Sequence, residues 1–109
     1  METEVELWVS FTSGFHSLVF SKTLMLTCVP FYGLVIENDN WDVSLDNDDY
    51  TRTSIRYDID DKKFLINVVN NWGVNLQSET IDDTLESFKG WKRQDTVDID
   101  NFKNFLDEK

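Results

Sequence analysis

The side chains in this 109-residue sequence best equipped for chemistry are carboxylates, and they cluster. Nine lie between positions 37 and 61: Glu37, Asp39, Asp42, Asp46, Asp48, Asp49, Asp58, Asp60 and Asp61. Only Arg52 and Arg56 oppose them, which leaves seven net negative charges in that window. Such a cluster suits three chemistries: acid–base work by a carboxylate pair, oxygen ligation of a hard cation, or attraction of a basic surface.

The first two fail on spacing. A calcium loop needs oxygen ligands at alternating positions, glycine at the sixth and a bidentate acid at the twelfth. Counting from Asp58, those last two positions hold Lys63 and Val69; counting from Asp46, they hold Thr51 and Tyr57. With 21 acids in the chain, carboxylate pairs arise by chance, and none stands out. The third chemistry makes no demand on spacing. Asp and Asn are also ordinary turn residues, which accounts for their positions without a partner. If the turns that carry them converge, they form a negative rim toward a basic protein surface.

The remaining reactive side chains argue against catalysis. His16 is the single histidine, flanked by Ser13 and Ser17 without a G-x-S-x-G elbow, and it reads as a loop residue between two strands. Cys28 is the single cysteine, so neither an internal disulfide nor a cysteine zinc cluster is available, and its apolar setting reads as buried. Four glycines, at 14, 33, 73 and 90, form no phosphate-binding loop. No cofactor or metal is implied, and the chain is expected not to be an enzyme.

Among the four tryptophans, Trp72 in Asn70-Asn71-Trp72-Gly73 reads as a loop aromatic suited to anchoring a partner. Trp41 reads as core, with Trp8 and Trp91 open to either role. Lys89, Lys92 and Arg93 make the one basic cluster, suited to a small anion-binding spot or, as expected here, to complementing the C-terminal end of a helix before Gly90.

Several elements must position these groups. Val5, Leu7, Val9 and Phe11 alternate with Glu4, Glu6, Trp8 and Ser10, the period of a half-buried strand. Leu18, Phe20, Leu24, Leu26 and Cys28 share a face of the next run, with Lys22 out of pattern as a bulge, an edge or a break. Residues 34–36 and 41–45 read as one hairpin, and 54–59 with 64–69 as another. The links are too short for crossovers, so the sheet is expected to be antiparallel. Ile81, Leu85 and Phe88 then mark a helix stopped by Gly90, and Ile99, Phe102, Phe105 and Leu106 a second. The expected fold is α+β: a mostly antiparallel sheet of five to six strands over residues 3–69, followed by two short C-terminal helices, in a single domain spanning 1–109.

Composition supports a folded chain, 40% apolar and 14% aromatic, with a formal charge of −11. That charge disfavours direct contact with nucleic acid or an anionic membrane and favours a basic protein surface. The longest nearly apolar stretch, Leu24 to Ile36, is interrupted by Thr27, Pro30 and Gly33, short of the ~20 residues a membrane helix needs. Glu2, Glu4 and Glu6 stand where a secretory signal carries basic residues, so a cytoplasmic protein is expected.

In general look, a short acidic chain of strands and terminal helices is similar to phage-encoded inhibitors and bacterial immunity proteins, a likeness of style that transfers no residue. The expected function is therefore a non-catalytic acidic binding protein that engages a basic partner, an inhibitor or immunity-type protein of a nuclease or nucleic-acid-binding protein. The alternative is a structural or assembly subunit of a phage particle or bacterial complex.

Overall fold

The computed structural model describes residues 2–13, 16–37, 42–71 and 78–93. Its strands are β1 (Thr3–Ser13), β2 (His16–Leu26), β3 (Val35–Ile36), β4 (Val43–Ser44), β5 (Thr51–Asp58), β6 (Lys63–Asn71) and β7 (Lys92–Arg93), with one helix, α1 (Ser78–Ser87). Five strands form one sheet in the order β5-β6-β1-β2-β7, and β3 and β4 form a separate two-stranded ribbon.

The expected fold needs correcting on two points. The sheet is mixed: β1 runs parallel to β6, from the Val5–Phe64 pair to Thr12–Asn71, while every other pairing is antiparallel. Short links constrain consecutive strands only. Between β1 and β6 the chain has already made β2, the ribbon and β5, so β6 enters the sheet on the free side of β1. The expected pair of C-terminal helices also gives way. Among the described residues there is one helix, and after it the chain forms β7 against Phe20 and Ser21 of β2. The apolar spacing at Ile99, Phe102, Phe105 and Leu106 lies outside the described residues. The outcome is a mostly β protein with one short helix.

The period of two in β1 fixes which face is buried. Val5, Leu7, Val9 and Phe11 are fully buried and meet Leu18 and Phe20 of β2 and Ile66 and Val68 of β6. Ile81 and Phe88 bring α1 onto this face, and Val43 and Leu45 bring the ribbon. Phe88 stacks on Phe20 at 4.8 Å between ring centroids and meets Phe11 edge-on at 5.5 Å. Gly90, at φ 90°, ends the turn after α1, and Trp91 packs edge-on against Phe88 at 5.0 Å. The opposite face of the sheet carries half-buried Trp8, Val19 and Leu65 beside Lys63, whose ammonium lies 3.5 Å from Glu6.

Two local expectations change. β2 runs without a bulge through Lys22, which pairs in register with Leu7 and extends its ammonium to 5.7 Å from the Trp91 ring centroid. Cys28 is exposed, because β2 ends at Leu26 and the alternation that would bury position 28 stops there. No helix among the described residues is long and apolar enough to cross a membrane.

Candidate functional site

The acidic window is built on the β5–β6 hairpin and the chain entering it. At one end, residues 46–50 fold back onto the start of β5 through polar contacts. The Asp48 carboxylate accepts the N–H groups of Tyr50 at 2.7 Å and Thr51 at 2.6 Å, a turn closed by its own side chain. The Asp48 N–H in turn donates to the Thr51 carbonyl at 2.9 Å. Asn47 accepts the Thr53 N–H at 2.9 Å, and the Thr53 hydroxyl donates to the Asp46 carbonyl at 2.7 Å. These contacts occupy the outer edge of β5 near its start, where no further strand pairs with it among the described residues.

Asn70 ties this end to the sheet. Its side-chain carbonyl accepts the Thr51 hydroxyl at 3.2 Å, and its amide donates to the Ser10 carbonyl at 3.3 Å. The Asn71 N–H donates to the Tyr50 carbonyl at 2.7 Å. Loop 46–50 is thus fastened to β5, β6 and, through Asn70, β1. It presents Asp46, Asp48 and Asp49 exposed, with Tyr50 70% exposed beside them.

Asp42, Asp46 and Asp48 converge around one open pocket of about 270 Å³, completed by Ser44, Thr51 and Asn70. The ribbon supplies Asp42 and Ser44. Glu37 and Asp42 lie one step beyond the Ile36–Val43 pair, so Glu37 belongs to the same end. Asp58, Asp60 and Asp61 do not join this group. They form the opposite turn of the hairpin, where the Asp58 carboxylate accepts the N–H groups of Asp60 at 3.0 Å and Asp61 at 3.2 Å. An eight-residue β5 separates the two ends by about 23 Å. The nine-acid window is therefore two acidic ends, not one rim. Asp39 and Trp72 lie outside the described residues, as does Trp41.

Reading the sequence alone missed Ser44, Thr51 and Asn70 as lining residues, and Asn47 and Thr53 as the fastening. Thr51 and Thr53 continue the period of Ile55 and Tyr57 upstream, and that is the signal that could have extended β5 to this end. It also missed an apolar surface beside the site. Val29, Phe31, Tyr32 and Val35 are each at least half exposed, on the chain between β2 and β4. Lys92 and Arg93 pair with β2 instead of serving a helix end. Among the described residues, no cluster of three or more His, Cys, Asp or Glu has a metal-holding arrangement. The arrangement presents negative charge and hydrogen-bond acceptors at an open surface.

No protein-family model matches the chain, and no similar chain was found among curated proteins or solved structures.

Proposed function

We propose that the protein is a non-catalytic, cytoplasmic binding protein whose acidic end, built from Asp42, Asp46, Asp48 and Asp49, engages a basic surface on a partner protein. On this reading the partner is a nuclease or another nucleic-acid-binding protein, and the acidic end occupies the surface that would meet phosphates. The observation that carries the proposal is the convergence of Asp42, Asp46 and Asp48 on one open pocket, on a loop fastened by side-chain and backbone hydrogen bonds. A fixed loop loses little freedom on docking, so less of the interaction energy is spent on ordering. A chain with a net charge of −11 adds long-range attraction that speeds encounter and that salt weakens.

The experiment is affinity capture from a lysate of cells that make the protein, after nuclease treatment, with elution by a salt gradient. The proposal expects a basic protein that survives nuclease, leaves at moderate salt and is not retained by a D46N/D48N/D49N variant. Asparagine keeps the side-chain oxygen that closes the Asp48 turn, so the variant changes charge and not loop shape. Equal retention by the variant overturns the assignment.

A second reading, a structural or assembly subunit of a phage particle or bacterial complex, draws on the edge of β5. Loop 46–48 covers its start but not Ile55 or Tyr57, and exposed Tyr57 lies toward its far end, with exposed Ile59 in the turn that follows. Sedimentation giving a monomer at all concentrations counts against the self-assembling form of this reading.

A further inference from the structure

The apolar surface beside the acidic end has a defined conformation. Pro30 is buried, and the Leu34 N–H donates to the Phe31 carbonyl at 3.1 Å across a turn whose third residue, Gly33, has φ 100°. That geometry is a type II turn, which places Tyr32 at its corner with Phe31 leading into it and requires a residue such as glycine at the third position. Gly33 N–H then donates to the Leu45 carbonyl at 2.8 Å, and Leu45 N–H to the Leu34 carbonyl at 2.9 Å. These bonds hold the turn against the residue that immediately precedes Asp46. Val29, Phe31, Tyr32 and Val35 are 60%, 54%, 57% and 50% exposed within a seven-residue stretch. Apolar side chains scattered singly on a surface are ordinary, but four within seven residues, next to a charged end, suit a contact surface. That end is acidic: Glu37 and Asp42 at the end of the ribbon, and Asp46 next to Leu45.

We infer that the Phe31–Tyr32 turn is the apolar centre of the same interface, and that it takes a protein segment whose apolar side chains are flanked by Lys or Arg. This rests on the acidic-end reading and adds the chemistry of the contacting segment. Phe31 and Tyr32 enter apolar recesses, while the flanking cations meet Glu37, Asp42 and Asp46. Aromatic side chains on a rigid turn are efficient anchors, since they bring large contact area with two rotatable angles each. A purely basic surface would leave these four side chains in water. A purely apolar one would strip solvent from the carboxylates without pairing them.

The experiment places a photo-crosslinking benzoylphenylalanine at Tyr32 in the producing cells, with Ile59 as the control position, and maps the adduct by mass spectrometry. The expected result is an adduct from position 32, absent from 59, in a segment of another protein that combines apolar residues with Lys or Arg. Against that mapped partner, F31S/Y32S weakens affinity at least tenfold while its thermal melt stays that of the parent, since both side chains are exposed. An adduct to lipid, to a second copy or within the chain itself overturns the inference, as does no adduct or a mapped segment without basic flanks. If F31S/Y32S binds like the parent while D46N/D48N/D49N does not, the apolar centre falls and the acidic end stands. If only F31S/Y32S loses binding, the acidic end falls, and with it the basic flanks assigned to the segment.

Discussion

Lys62 is the one described non-glycine residue with positive φ, at 54°, in the turn between β5 and β6. A left-handed conformation costs an L-residue with a Cβ about 1–2 kcal/mol, of which glycine recovers part after its own entropy cost. Lys62→Gly is therefore expected to stabilise the protein by about 0.5–1 kcal/mol, seen as a melting temperature raised by a few degrees. No change or a loss would mean that the lysine side chain makes a contact worth the strain. At the opposite end the role of Asp48 divides in two. Asp48→Asn keeps the acceptor for the Tyr50 and Thr51 N–H groups, whereas Asp48→Ala leaves both without it. The alanine variant is expected to lose about 1 kcal/mol of stability and the asparagine variant much less, in parallel urea titrations. Equal losses would show that charge, not the turn bond, holds loop 46–50.

The elements differ in how plainly the sequence announces them. β1 is legible because one face is apolar at every second position, from Val5 to Phe11, and Ile81, Leu85 and Phe88 announce α1 by helical spacing. The ribbon is legible from two short apolar runs around a polar turn. The parallel pairing of β1 with β6 is not legible, because periodicity tells which face a residue takes and not which strand lies beside it. Cys28 misleads for a related reason: alternation continues on paper past Leu26, where the pairing with β1 stops. The acidic end is half legible. Composition locates the carboxylates, but their division between two ends depends on the length of β5, which Thr51 and Thr53 extend. α1 is held by buried Ile81 and packed Leu85 and, just past its end, by the ring contacts of Phe88 on Phe20 and Phe11. Phe88→Ala is expected to cost about 3–5 kcal/mol and to expose the α1 amides to hydrogen exchange before those of β1 and β6. Simultaneous exchange of all three would show that the helix and sheet open as one unit.

At the scale of the whole molecule, charge is distributed more unevenly than the total of −11 suggests. The opposite sheet face brings Arg52, Arg56, Lys63 and Lys92 together with Glu4, Glu6 and Asp58, close to balance. Among the described residues the excess negative charge gathers instead at the hairpin ends, on the ribbon and on α1, where Asp82, Asp83 and Glu86 are exposed. Long-range attraction should then act toward a partner approaching the acidic end, and the Phe31–Tyr32 turn beside it should act only on contact. The two contributions separate by salt: the first weakens as ionic strength rises, and the second does not. The measurement that tests the central claim most directly is the dissociation constant of the captured partner between about 50 mM and 500 mM NaCl, for the parent chain and for D46N/D48N/D49N. The account predicts affinity that falls steeply with salt for the parent, and weaker, flatter affinity for the variant. Superimposable curves for the two proteins would contradict it.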